Sequence, residues 1–183
     1  MPTAAEERAA GAPRPPASAG DGGEAAAVGR AYFEAVGARD LDAMTALWEP
    51  GAIDEIHGLA SMRAPEEIRE WFSNTFRAVP DFRMEILDLI ASGEKVAVRW
   101  HMTGTFSGDA RFEGAIATGE KIDITGCDVL TVRDGRIVRN DAYMNGMQMG
   151  RQLGVFPPQG SGQERAMIGA VNAKTRLARR LGR

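Results

Sequence analysis

Between residues 24 and 80 the apolar positions recur at helical intervals. From residue 82 to residue 144 they alternate with polar ones. Val28, Tyr32, Ala35 and Val36 share one side of a helix predicted over Glu24 to Arg39. Asp40 is placed to cap a second short helix, Leu41 to Trp48, with Leu41, Met44, Leu47 and Trp48 facing inward. Pro50-Gly51 stops that helix, and Ile53 to Ile56 reads as a short strand ending at His57-Gly58. Pro65 suits the first position of a third helix, with Glu66 and Glu67 favourably placed at its positive end. Ile68, Trp71, Phe72, Thr75 and Phe76 form its apolar stripe, and Pro80 ends it.

The alternating half predicts four strands: Phe82 to Ile90, Lys95 to Phe106, Lys121 to Arg133 and Arg136 to Met144. Ser92-Gly93-Glu94 joins the first two, a Gly-rich loop joins the second to the third, and Asp134-Gly135 is a hairpin signal before the last. Three helices followed by long antiparallel strands predict an α+β fold with the helices covering one face of a curved sheet. A sheet covered in this way leaves a concave space suited to a small ligand.

Composition narrows the function classes. The chain has 183 residues, 44% hydrophobic and 26% charged, which fits one globular domain with tails. A net charge of −3 gives no overall basic field for nucleic acid. No apolar run reaches the length of a bilayer span, and the N-terminus lacks the basic start and apolar stretch of a secretory signal, so cytoplasmic residence is the expectation. Cys127 alone supports neither an internal disulfide nor a Cys-based zinc site and reads as a small core residue. Two histidines, His57 and His101, with no ligand spacing around them give no metal site. Residues 1–23, rich in Ala, Pro and Gly, read as a disordered tail; 24–158 as the folded domain; 159–183 as a basic helical tail. In that last segment Ile168, Val171, Leu177 and Leu181 suggest an apolar stripe among Lys174, Arg176, Arg179, Arg180 and Arg183. Such a helix packs on its own domain or a dimer mate, or meets an anionic membrane surface or a partner helix.

Several short pieces, in order, resemble the SnoaL-like polyketide cyclases of the nuclear transport factor 2-like superfamily. They are His57 after the first strand, Val79-Pro80-Asp81-Phe82, Val96-Ala97-Val98-Arg99-Trp100 with Gly104-Thr105, Thr118-Gly119, Arg133-Asp134-Gly135-Arg136-Ile137-Val138, and Arg151-Gln152-Leu153-Gly154-Val155-Phe156-Pro157. The resemblance implies a cone-shaped α+β barrel, a homodimer, and a cofactor-free pocket for a small hydrophobic molecule. It implies ring closure by an aldol-type step, with ketosteroid isomerisation and epoxide hydrolysis in more distant relatives. The family's usual acid/base Asp falls at Asn145, which cannot take up a proton at useful pH. The His that often follows Gly-Thr is Phe106.

Proton-transfer chemistry needs a base beside a carbonyl and a donor for the enolate oxygen. Asp141 is the carboxylate nearest the family position and shares a strand face with Tyr143 and Asn145. It serves as base with those two as donors, or pairs with Arg139 on the outer face. His57 is a second candidate base or a structural hydrogen-bonding group. Arg99 and His101 are candidates to orient a substrate oxygen, or members of a solvent-side polar ladder. Arg99 with Asp141 partly matches the Asp–Arg–Asp set that the resemblance to epoxide-hydrolysing relatives implies. Asp128 is expected on the exposed side. Trp48, Trp71, Phe76, Trp100 and Met144 are candidate apolar walls or core packing, and Met144, Met147 and Met149 a candidate adaptable rim. The expected activity is cofactor-independent acid/base cyclisation or isomerisation. The alternatives are a non-catalytic binding module and an epoxide-hydrolase-like enzyme.

Overall fold

A computed structural model describes residues 22–182. The expected disordered tail therefore lies almost wholly outside the described residues. The elements run α1 (Gly23–Ala38), α2 (Leu41–Ala46), β1 (Trp48–Ile56), β2 (Ala60–Arg63), α3 (Glu66–Ala78), β3 (Arg83–Ser92), β4 (Lys95–Thr105), β5 (Lys121–Arg133), β6 (Arg136–Met144), α4 (Gly146–Gln152) and α5 (Gly162–Arg180). Six strands form one curved, unclosed sheet in the order β2-β1-β6-β5-β4-β3. The fold is α+β, as the pattern predicts. The sheet is not wholly antiparallel, because β1 runs parallel to β6.

Local chemistry explains the element ends. Arg39 adopts a left-handed φ of 60° and closes α1 through its amide to Ala35 and Val36 carbonyls. Asp40 then accepts hydrogen bonds from the Asp42 and Ala43 amides at 3.1 and 2.9 Å and starts α2. That helix is shorter than expected, because Trp48 opens β1 and pairs with Ile137 of β6. β1 is correspondingly longer than Ile53–Ile56, and β2 folds back on it after the His57–Leu59 turn. Neither difference shows in the periodicity, since β1 draws its register from the distant β6 and β2, with four residues, is too short to express a period. The β5–β6 hairpin turns at Asp134 and Gly135, with φ of 48° and 73°, as the Asp-Gly signal requires.

The core lies between α1, α3 and the covered sheet face. Val96, Val98 and Trp100 of β4 are buried there with Ile122, Ile124 and Leu130 of β5. α1 can lie close because Gly29 faces Val96; a Cβ at Gly29 would stand 2.9 Å from that valine. The loop between β4 and β5 is tied to the end of α3 by the Gly108 amide, which donates to the Ala78 carbonyl at 3.0 Å. A Cβ at Gly108 would lie 1.6 Å from the Arg77 carbonyl oxygen, which is backbone and cannot turn aside. Gly108→Ala is therefore expected to lower stability by about 2–3 kcal/mol, read as a fall in the urea midpoint at unchanged slope.

α4 escapes the sequence pattern because it is short; the Asn145 side chain caps it by accepting from the Gln148 amide at 3.0 Å. α5 is the helix expected in the basic tail. It starts at Ser161, is pinned to α4 by Arg151–Glu164, and buries none of its residues. No helix among the described residues is long and apolar enough to cross a membrane.

Candidate active site

Strand pleating brings three polar side chains to the otherwise apolar covered face. Ala52, Asp54 and Ile56 of β1 share that face, as do Asn140 and Ala142 of β6, and Asp128, Leu130 and Val132 of β5. Asp54 and Asn140 are direct partners across β1 and β6. Asp128 pairs with Ala142, which puts it diagonal to Asn140. The Asn140 amide nitrogen donates to both carboxyls, at 2.9 Å to Asp54 Oδ1 and 2.6 Å to Asp128 Oδ2. The Trp100 indole nitrogen donates to Asp128 Oδ1 at 2.7 Å. All three polar residues are almost wholly shut off from solvent: Asp54 is 1% exposed, Asn140 1% and Asp128 6%.

Asp54 and Asp128 line the inner end of a narrow cavity, and Asn140 joins them from behind its wall. Tyr32, Phe33 and Val36 of α1 form one wall, Trp71, Phe72 and Thr75 of α3 another, and Trp100, Met102, Ile122 and Ile124 the sheet side. Met144, Met149, Leu59 and Phe112 stand at its outer end. The Asn140 carbonyl oxygen is buried without a hydrogen-bond partner, and the buried Tyr32 hydroxyl stands beside the Asp54 carboxyl and the Trp48 indole. Tyr32 packs edge-on against Trp48 at 5.6 Å and against Phe33 at 5.4 Å, so its ring is held from both sides.

The two carboxyls differ in charge state. Burial, then the neighbouring charge of Asp128, pushes Asp54 up to about 8. Burial also raises Asp128, but hydrogen bonds from Trp100 and Asn140 favour its ionised form and limit the rise to about 6. At neutral pH the pair therefore holds one proton, on Asp54, and one negative charge, on Asp128. The Tyr32 hydroxyl is raised too, by burial first and then by the Asp54 and Asp128 charges, and stays protonated. A neutral carboxyl, a carboxylate and a tyrosine hydroxyl thus share one apolar chamber. Among the described residues no group of three or more His, Cys, Asp or Glu side chains is placed to hold a metal ion.

Trp100 reaches Asp128 only because Gly126 lies opposite it on β5. A Cβ at Gly126 would stand 2.2 Å from the indole ring. Gly126→Ala is expected to displace the ring, break its bond to Asp128 and cost about 1–3 kcal/mol, with a changed tryptophan emission as the direct readout.

The residues singled out from sequence divide between three places. Trp71, Trp100 and Met144 line the cavity. Trp48 and Phe76 are buried behind it as core packing. Asp141, Tyr143, Arg99 and His101 project from the opposite face of the sheet, because Asn140 and Ala142, or Val98 and Trp100, take the covered side. There Asp141 accepts two bonds from Arg139, at 2.9 and 2.6 Å, and lies 3.1 Å from His57 Nε2. Arg139 foremost, then the His57 contact, holds the Asp141 carboxyl below the usual range. His57 stacks on Tyr143 at 4.5 Å. His101 bridges Glu85 and Asp123 at 3.1 and 2.9 Å. Asn145 is spent on capping α4. Asp141, His57 and Tyr143 do meet one another, but outside the cavity, and Arg99 is not bonded to Asp141. Asp128, expected on the exposed side, is buried. Cys127, expected in the core, is half-buried on the open face. Asp54, Asn140 and Tyr32 drew no functional expectation. The signal for them was present as polar residues interrupting an apolar strand face or helix stripe.

The same architecture recurs in solved structures. A candidate SnoaL-like polyketide cyclase from Jannaschia sp. CCS1 superposes with a TM-score of 0.66 at 19% identity, covering 80% of this chain and 100% of that one. IdmH, a candidate polyketide cyclase from Streptomyces antibioticus, gives 0.58 at 27% identity, covering 70% and 96%. An LEH-like epoxide hydrolase from M. tuberculosis gives 0.58 at 20% identity, covering 73% and 92%. No curated protein matches the chain. The sequence profile of the SnoaL-like domain matches residues 29–140, which run from within α1 into β6 and include Asp54, Asp128 and Asn140. The chain therefore belongs to the SnoaL-like domain family.

Proposed function

We propose that this protein is a cofactor-independent enzyme that moves a proton on a small, largely apolar molecule, leading to cyclisation or isomerisation. One observation carries the reading: two buried carboxyls of unlike protonation, joined by one amide, at the foot of an apolar cavity. Aldol-type closure and enone isomerisation share a first step, in which a base takes a proton from carbon beside a carbonyl. Asp128 is the base. Neutral Asp54 donates to the carbonyl oxygen as it gains negative charge, and the Tyr32 hydroxyl is a second donor in reach of the same chamber. In isomerisation Asp128 returns its proton to a different carbon. In cyclisation the enolate carbon bonds to a second carbonyl of the same molecule, and that oxygen takes the proton. Trp71, Trp100 and Met144 hold the apolar body of the substrate. The names of the structural neighbours, polyketide cyclases among them, agree with this chemistry.

A second reading is epoxide hydrolysis. It is favoured by the paired acid and base, since Asp128 can take a proton from water while Asp54 protonates the opening oxygen. The test is a thermal-shift panel of aromatic polyketide-like ketones, steroid enones, terpenoids and small epoxides, followed by turnover assays on each ligand found. Wild type is compared with Asp128→Asn and Asp54→Asn. Loss of conversion in Asp128→Asn and a reduced but measurable rate in Asp54→Asn supports the proposal, and the substrate converted separates the two reactions. Binding by all three proteins with conversion by none leaves a non-catalytic binding module and overturns it.

A further inference from the structure

An outer groove opens beside the cavity mouth. His57, Phe112, Met149, Leu153, Val155 and Phe156 line it. Leu59, Phe112, Met144 and Met149 belong to both the groove and the cavity, so the two spaces adjoin across these side chains. Phe156 lies flat on α4 because residue 150 is glycine: a Cβ there would stand 2.4 Å from the ring. Val155 and Phe156 nevertheless remain 54% and 39% exposed. Two apolar side chains on the groove wall thus keep open surface. At the other end, the only carboxyl side chains among the described cavity residues are Asp54 and Asp128; no Lys, Arg or His lines it.

We infer that the cavity and the outer groove are two chambers of one binding channel, which takes an elongated, uncharged, apolar molecule with an oxygen function at its leading end. This rests on the proposed role of the cavity as the reacting chamber. The leading oxygen accepts from Asp54 and Tyr32, the body passes the neck formed by Leu59, Phe112, Met144 and Met149, and the trailing part covers Val155 and Phe156. A leading carboxylate is excluded, because it would set a second negative charge beside Asp128 in a low-dielectric chamber with no cation to offset it. His57, on the groove wall, faces the trailing part of the ligand and not the reacting end.

The experiment measures binding of straight-chain methyl ketones from hexanone to tetradecanone, and of alkanoic acids of matching length, by tryptophan emission at pH 7. Trp71 and Trp100 report occupancy of the inner chamber. Affinity is expected to rise by about fourfold per methylene through the longer members of the series. Val155→Ser and Phe156→Ser, both at the surface, are expected to weaken tetradecanone by about tenfold and leave hexanone unchanged. The acids are expected to bind at least about tenfold more weakly than the ketones. A plateau in affinity at short chain length, or tetradecanone binding to both variants as to wild type, overturns the second chamber. Equal binding of acids and ketones overturns the uncharged leading end. Binding is read without turnover, so a failed channel is distinguishable from a failed reaction, which would show instead as undiminished conversion by Asp128→Asn.

Discussion

Asp128→Asn is expected to lower turnover by about 10²–10⁴-fold while the ligand still binds, because the change removes a positioned base and little volume. The asparagine oxygen can still accept from the Trp100 indole, so the wall of the chamber stays in place. Its amide nitrogen, however, meets the Asn140 nitrogen that now donates to Asp128 at 2.6 Å, and two donors cannot share that contact. Asn140 must turn, which also frees Asp54. The rate profile separates lost base chemistry from simple disturbance. In wild type kcat/KM should rise as Asp128 ionises near pH 6 and fall as Asp54 loses its proton near pH 8. Asp54→Asn should retain the rising limb and lose the falling one. A variant pair that keeps both limbs would assign the titrating groups elsewhere.

Stability should fall as pH rises from about 4 to 8, opposite in direction to a protein dominated by paired surface carboxylates. The folded-state value of Asp54 lies above its unfolded value of 3.8, at about 8. Across that window the unfolded chain has released a proton that the native state still holds, so the native state is progressively disfavoured. The stabilisation is fully present below the unfolded value and is lost as pH rises through the folded one. One proton over this range bounds the effect at roughly 5–6 kcal/mol. Asp128 acts with the same sign over a narrower range, up to about 6. Asp141 and Asp81 act oppositely: Arg139 and Thr105 respectively hold them low, so their contributions are lost as pH falls through the lowered values. Urea midpoints for wild type should therefore be higher at pH 5 than at pH 8. Asp54→Asn cannot ionise and should remove most of that difference, ending more stable than wild type at pH 8. Equal wild-type midpoints at the two pH values would mean that Asp54 does not carry the proton in the folded protein.

Legibility differed between elements for physical reasons. α1, α3 and the four strands from β3 to β6 were readable because each is long enough to show its period and has a chemical end signal, such as Asp40 or Asp134-Gly135. β2 and α4 have four and seven residues, too few to express a period, and are held by neighbours: β2 by β1, and α4 by the Asn145 cap and β5. The length of β1 depends on β6, about ninety residues away, through the pairing of Trp48 with Ile137.

Which strand residues share a face follows from their order along the chain. Alternation alone puts Asp128 with Leu130, Asn140 with Ala142, and Asp141 with Arg139 and Tyr143. The sequence also carried the order of motifs that led to the SnoaL-like fold. Which of the two faces the helices cover was a tertiary decision, made where α1 lays Gly29 against Val96. That packing turns Asp141, Arg99 and His101 to the open side and buries Asp54, Asp128 and Asn140 together. Their meeting depends on the parallel register of β1 on β6 and on the indole of Trp100 lying across Gly126, contacts between segments that no local pattern connects. The altered proton affinities follow from the same packing, because a carboxyl is pushed up only after the surrounding chain has excluded water from it.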